Sequence, residues 1–276
     1  MTAPSNSTVA DGQRGAVRHL VAPTLELERE LAGQGFDLIV GFDEVGRGAL
    51  AGPVMVGAAA VWARDLDDLE VPVGVADSKL LTEHKREAMF EGLRAWCTAS
   101  AVGQASNKEI DEWGISYALG IAALRAVNEV ERELRIDDSG TNGGTGTSSS
   151  NGSMDVSSDV VSALRDSSGP LRVGAILDGP NDYISKAAGT FDAPAVPILP
   201  NVTTKVKADQ SCALVSTASV IAKVTRDRLM VALSQGNPSY APYQWQHNKG
   251  YGSAAHRAAI AKYGPTPLHR VSWHLT

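Results

Sequence analysis

Apolar residues fall into well-bounded patterns along the chain. After a polar stretch from Met1 to about His19, "PTLELERELAGQG" spaces its leucines as a short helix that stops at glycine. "FDLIVGF" and "PVMVGAAAVWA" follow as two strands, the second too apolar to face water on both sides. "TEHKREAMFEGLRAWC" places Met89, Phe90, Leu93 and Trp96 on one side of a helix, and "TASAVGQAS" reads as a third strand. Ile115, Leu119, Ala122, Ala123, Val127, Val130 and Leu134 recur at helical spacing and predict a long amphipathic helix. "LRVGAILDG" predicts a strand ending at Asp178, and "APAVPILP" another short strand. "ADQSCALVSTASVIAKVTRDRLMVAL" reads as one long helix rich in Ser and Ala. "SAAHRAAIAKYG" is a final helix stopped by Gly264 and Pro265.

One segment breaks the pattern. "DDSGTNGGTGTSSSNGSMDVSSD" has almost no large apolar residues and cannot bury enough surface to offset its ordering entropy. It is expected to be a disordered insertion at about 137–169, between a helix and a strand; residues 1–22 are expected to be a disordered tail. The order of elements implies an α/β domain with a mixed sheet. Its first two strands lack a crossover helix, so they can run antiparallel. The core is expected at 23–202, with a C-terminal helical lobe at 203–276 against it.

Composition adds limits. The 276 residues are 43% hydrophobic and 20% charged, ordinary values for a globular chain. No apolar run approaches the ~20 residues that span a bilayer, and the N-terminus has no apolar core of signal-peptide length. A cytoplasmic protein is expected. Cys97 and Cys212 stand alone in distant segments, which suits buried reduced thiols and excludes a cysteine-based zinc site. The net charge is −6, yet Thr203 to Thr276 hold nine Lys and Arg against two Asp, a net of +7. That basic quarter is either a polyanion-binding face or solvated helix surface, and charge alone does not separate the two.

The first strand ends in candidate chemistry. "IVGFDEVGRGALAGPV" places Asp43 and Glu44 side by side before a Gly46-Arg47-Gly48 turn. Two desolvated carboxylates repel, and a bound cation would offset that cost. Adjacent strand residues point to opposite faces, so the pair shares a site only if the chain bends, which Gly46 and Gly48 permit. Asp178 ends another strand and Asp209 opens the long helix. Taken singly, a strand-end Asp is a turn former and Asp209 balances a helix dipole. Together, strand-end acids can converge beyond the carboxyl ends of the strands. A carboxylate cluster without soft ligands suits Mg²⁺ or Mn²⁺, and two such ions serve phosphodiester displacement.

These stretches resemble bacterial type 2 ribonuclease H, ribonuclease HII. The resemblance rests on "GFDEVGRGALAGPV", "DSKLL" from Asp77, "LDG" from Leu177, "KADQSCALVSTASVIAKVTRDRLM" from Lys207, "KGYGSAAH" from Lys249 and "YGPTPLHRVSW", in the family's order. It implies a ribonuclease H-like fold, a mixed five-stranded sheet flanked by helices, and hydrolysis of RNA paired with DNA. It also implies cutting at single ribonucleotides in duplex DNA, leaving a 5′-phosphate. Asp43, Glu44, Asp178 and Asp209 match the family's metal-binding acids. Gly46, Arg47 and Gly48 match the turn around the ribose 2′-hydroxyl, the group that separates RNA from DNA. Tyr251 matches a tyrosine that stacks on the next sugar.

Lys79 either meets a phosphate or pairs with Asp77. Lys205, Lys207, Lys223, Arg226 and Lys249 are further candidate phosphate contacts. His269 and Arg270 match the family or serve a structural C-terminal contact, and Trp245 is expected in packing. The segment before Pro23 is too short for the extra domain of type 3 ribonuclease H. No C-terminal peptide resembles the sliding-clamp motif of some relatives, so a monomer needing no protein partner is expected. Two rivals remain: another nuclease of the same fold, which leaves Gly-Arg-Gly and Tyr251 unexplained, and a non-catalytic nucleic-acid-binding module with a structural ion.

Overall fold

Side chains of β1 (Leu38–Val45) alternate between two cores, and the rest of the fold is arranged around that alternation. Leu38, Val40 and Phe42 enter one apolar cluster, and Ile39 enters the other. The computed structural model describes residues 22–76, 78–137 and 169–276; the expected tail and insertion, except their boundary residues 22, 137 and 169, and Asp77 lie outside them. β1 pairs antiparallel with β2 (Val54–Trp62) and parallel with β4 (Val173–Asp178). β3 (Ala99–Ala105) and β5 (Asn201–Lys205) complete a mixed sheet of order β3-β2-β1-β4-β5. The expected five strands and the antiparallel start both hold.

Helices cover both faces. α4 (Ile115–Glu133) and α5 (Tyr183–Ala188) bury the first cluster. α7 (Ala213–Gly236) and α1 (Glu26–Gly33) bury the second, and α2 (Glu83–Trp96) packs Phe90 and Leu93 on Val220, Ile221 and Val224 of α7. The Ser and Ala content of α7 has a spatial cause. A Cβ at Gly41 would fall 2.5 Å from the Leu214 backbone, and one at Gly57 would fall 2.4 Å from the Ala218 carbonyl. The helix backbone therefore lies almost on the sheet, and only small side chains fit between them.

Some elements differ from the sequence expectations. "APAVPILP" forms no strand; β5 begins only at Asn201, after Pro200. Pro197 and Pro200 lack the N–H that a strand inside the sheet needs. β5 spans residues 201–205, so the expected division at 202/203 falls within it. The long helix from Ala208 is two helices, α6 (Ala208–Ser211) and α7, broken at Cys212 with φ −111° and ψ 125°. α3 (Asn107–Trp113) was not expected, although Ser106 and Glu109 form a capping box readable in sequence.

The C-terminal part contains α8 (Trp245–Asn248) and α9 (Ala254–Tyr263), with Trp245 fully buried as expected of a packing residue. It packs on Leu50 and Ala51, directly behind the turn that follows β1. Cys97 and Cys212 are free and buried. No helix among the described residues is long and apolar enough to cross a membrane.

Candidate active site

Asp43 and Glu44 stay in register opposite Gly57 and Val56, and the β1/β2 ladder continues to Val45. The chain does not bend between them, contrary to the sequence expectation, and they occupy opposite faces. Asp43 takes a hydrogen bond from Ser219 of α7, and Glu44 accepts one from the Tyr183 hydroxyl of α5 at 3.3 Å. They remain electrostatically coupled, to each other and to Asp178. The reason is level rather than face: the β1/β4 ladder ends at Phe42↔Leu177, so Asp43, Glu44 and Asp178 share one end of the sheet.

Asp209 arrives by a different route. Lys207 adopts the left-handed conformation (φ 60°), which starts α6 and aims the Ala208 N–H at Asp178 Oδ1, 2.7 Å away. A left-handed non-glycine residue costs about 1 kcal/mol or more. Asp209 is 3% exposed and its Oδ2 lies 3.1 Å from Lys79 Nζ. The Lys79 charge also acts on Asp43, so one ammonium group favours the charged form of both acids.

Burial dominates the electrostatics. Desolvation pushes the Asp43 carboxyl up to about 8, reinforced by the Glu44 and Asp178 charges. Glu44 is raised by burial too, opposed by Arg47. The Tyr183 hydroxyl is pushed well above its usual range by burial and the neighbouring carboxylates, so it remains a donor. No three His, Cys, Asp or Glu groups among the described residues form a ready-made ligand cage. The donor set nevertheless fits a hard divalent cation: all four groups are carboxylates, and the cost of charging Asp43 is one that such a cation relieves.

The glycine-arginine-glycine turn lies beside the acids. Arg47 is exposed and its Nη1 is 3.3 Å from Glu44 Oε1. Gly46 has φ +82°, and a Cβ there would fall 2.1 Å from Arg226 Nε, so glycine is required twice over. The Gly46 N–H donates to the Tyr251 hydroxyl at 3.1 Å, and Ala49 bridges to Tyr251 through the backbone. Gly48 is exposed at the tip.

A sequence model of the family described as Ribonuclease HII matches residues 40–141 and 181–276. The chain belongs to the ribonuclease HII family. Ribonuclease HII of Streptomyces avermitilis is 38% identical over 253 residues, covering 91% of this chain and 83% of that protein. Among solved structures, ribonuclease H2 of Pyrococcus horikoshii has a TM-score of 0.51 at 25% identity, over 86% of this chain and 94% of its own. Ribonuclease HII of Archaeoglobus fulgidus, solved in complex with PCNA, has a TM-score of 0.51 at 24% identity, over 87% and 96%. Bst-RNase HIII in complex with Mn²⁺ has a TM-score of 0.54 at 20% identity, over 99% and 74%. The last two likenesses speak for the fold alone. As a ribonuclease HII family member the chain is a metal-dependent ribonuclease, a hydrolase of the ribonuclease H type. Asp178 lies between the two matched ranges, so its place beside Asp43 and Glu44 rests on the geometry.

Within this ribonuclease HII fold, several basic residues expected at phosphates are engaged elsewhere. Arg226 is fully buried and donates to the carbonyls of Pro53, Lys249 and Ala51 at 2.9, 2.9 and 3.1 Å. Lys249 is buried, with Nζ 2.6 Å from the Gln246 carbonyl and 3.3 Å from Glu83. Lys223 binds both oxygens of Asp227 at 2.6 Å. Arg270 is buried as well, with 2.7–3.2 Å bonds to the carbonyls of Gly46, Arg47 and Gly52. Much of the +7 surplus is therefore interior scaffolding rather than a surface patch. Lys205 is half-buried and Lys207 exposed.

Sequence reasoning missed Tyr183 and Ser219, which hold the two adjacent acids from opposite faces. It also missed Arg226 as a clamp of the turn, whereas Arg270 takes the structural alternative that the sequence left open. An arginine at the eighth position of "SVIAKVTRDRLM" looks like any solvated helix cation, and only the fold reveals the carbonyls around it.

Proposed function

We propose that the protein cuts the RNA strand of RNA–DNA hybrids and also cuts 5′ of single ribonucleotides embedded in duplex DNA. It would leave 5′-phosphate and 3′-hydroxyl ends and serve ribonucleotide excision repair. One observation carries this reading. The exposed Arg47-Gly48 tip is tied on one side to Glu44 and on the other to Tyr251. A sugar inspected at that turn sits next to the carboxylates. The 2′-hydroxyl both donates and accepts, and an exposed peptide turn offers partners for both.

Asp43, Glu44, Asp178 and Asp209 would hold two Mg²⁺ or Mn²⁺ ions. When bound, these supply charge stabilisation for the attacking and leaving oxygens of the phosphodiester. The chain's own groups prepare that site. Ser219 and Tyr183 orient Asp43 and Glu44 from the two faces. Lys79 balances charge between Asp43 and Asp209. Arg47 exchanges Glu44 for a substrate phosphate, and the Tyr251 ring stacks on the deoxyribose that follows the ribonucleotide. The Mn²⁺ bound to Bst-RNase HIII is in keeping with this set of acids.

The test is kcat/KM on a single-ribonucleotide duplex and on a continuous hybrid, with Mg²⁺ or Mn²⁺. Stringent chelation should abolish both activities, and either ion should restore them. Stacking on an aromatic ring is worth about 1–3 kcal/mol, so Tyr251→Ala should lose about tenfold or more on the single-ribonucleotide duplex and less on the hybrid. Arg47→Ala should weaken both. Equal losses for Tyr251→Ala on the two substrates would remove the junction-sensing role, and cleavage in chelator would remove the metal.

A further inference from the structure

Behind Tyr251 lies a buried polar chain that the proposed chemistry does not use. His256 and His269 are 0% and 1% exposed, and their Nε2 atoms are 3.0 Å apart. The Trp245 indole N–H donates to His256 Nε2 at 3.0 Å. His256 Nδ1 is 2.9 Å from the Tyr251 carbonyl. The Thr266 backbone N–H donates to His269 Nδ1 at 2.8 Å.

Proton inventory settles both tautomers. An indole or backbone N–H only donates and a carbonyl only accepts. His256 Nε2 must therefore be bare, and its Nδ1 must carry the proton given to Tyr251. His269 Nδ1 must be bare, so its Nε2 carries the proton that points at His256, where it shares the single lone pair of Nε2 with the Trp245 N–H. Each assignment is demanded by a partner that has no choice of role, and a charged imidazole at either position would face a donor at close range. Burial also lowers both pKa values, that of His269 to about 4.

We propose that this fixed-tautomer chain, from Thr266 through His269 and His256 to the Tyr251 carbonyl, is a positioning device for Tyr251 and thereby for the Gly46 end of the turn. Beside its backbone bonds to Asn248 and Ala49, Tyr251 is then held at its carbonyl by His256 together with the Ser253 N–H (2.8 Å), at its hydroxyl by the Gly46 N–H, and at its ring by the Arg226 guanidinium, 5.4 Å from the centroid. His256 is a positioning residue that touches no substrate. The inference deepens the reading of Tyr251 as the junction-sensing residue and rests on it for its effect on substrate choice.

Imidazole ¹⁵N shifts of the wild-type protein at pH 7 test the tautomers directly. His256 should be protonated at Nδ1 only and His269 at Nε2 only; the reverse pattern, or either ring charged, overturns the proposal. Two variants then separate positioning from packing. In His256→Asn the amide nitrogen takes the place of Nδ1 and keeps the bond to Tyr251. In His256→Gln the amide oxygen takes the place of Nε2, satisfies Trp245 and His269, and loses that bond. His256→Gln should exchange the Gly46 amide hydrogen at least tenfold faster and move the single-ribonucleotide to hybrid ratio toward that of Tyr251→Ala. His256→Asn should restore both while melting lower. Unchanged Gly46 exchange in His256→Gln, or equal exchange in two folded variants, would make His256 a core filler. Should Tyr251→Ala leave the ratio untouched, the junction-sensing reading fails, while Gly46 exchange still decides the relay.

Discussion

Burial holds the Asp43 carboxyl at about 8 against an ordinary 3.8, so between those values the folded chain keeps a proton that the unfolded chain has lost. Stability contributed by this group is full below about 3.8 and falls as pH rises towards about 8. In chelator, the melting temperature of the wild type should therefore drop relative to that of Asp43→Asn as pH rises across this window. The comparison between variants cancels the opposite slope from His269, whose lowered pKa stabilises the fold as pH rises from about 4 to 6.5. At pH 8 Asp43→Asn should melt several degrees higher and be inactive; 1 kcal/mol corresponds to about 2–4 °C at this size. A flat difference across pH would mean that Asp43 is ionised at little cost. The chemistry of this corner is partly legible. Asp43 and Glu44 stand out because a buried strand seldom ends in two acids. Asp209 stands out only through the family resemblance, since alone it reads as a helix-start residue. Ser219 and Tyr183 carry no signal, because their partners are 176 and 139 positions away.

Elements are read well where their cause is local and poorly where it is not. The alternation of β1 and the spacing of α4 follow from their own residues. The break at Cys212 does not, because "ADQSCAL" contains neither Gly nor Pro. Its cause lies in α1: buried Glu28 accepts the Leu214 N–H at 3.0 Å, and the Thr24 carbonyl accepts that of Ala213 at 2.9 Å, so a new helix start is capped from outside. Glu28→Ala should cost about 0.5–2 kcal/mol, as other helix caps do, read as a lowered melting temperature. The contact of α7 with the sheet is less forgiving. Gly57→Ala would push a methyl against the Ala218 carbonyl and cost on the order of 1–3 kcal/mol. Since α7 also carries Ser219, kcat should fall with stability. A Gly57→Ala enzyme with wild-type melting would show that the helix shifts freely.

For the whole molecule, the division between core and lobe matters less than the clamp that joins them. Arg226 and Arg270 donate to carbonyls of the 46–53 segment from the two ends of the C-terminal region. Neither guanidinium needs a carboxylate, because the loop offers a curved array of oxygens that the planar fork fits. Replacing Arg270 by Lys keeps the charge but cannot serve Gly46, Arg47 and Gly52 at once. Arg270→Lys should destabilise by about 2–4 kcal/mol through unsatisfied carbonyls and lose activity on both substrates. Retained activity at a lower melting temperature would show that the turn keeps its shape unaided. A sequence reader sees a basic C-terminal quarter and infers a surface. The fold sends its two most consequential charges inward.

That clamp sets a schedule for synthesis. Gly46 and Arg270 are 224 positions apart, about 10–45 s of translation at ~5–20 residues per second. The first strand and its acids are made early, but the turn that follows them is not clamped by Arg270 until the whole sheet and α7 have been made. A nascent chain that stops short of Arg270 thus carries the acids of the first strand without this clamp on the turn beside them, and the shape of the turn is set only after Arg270 has been made.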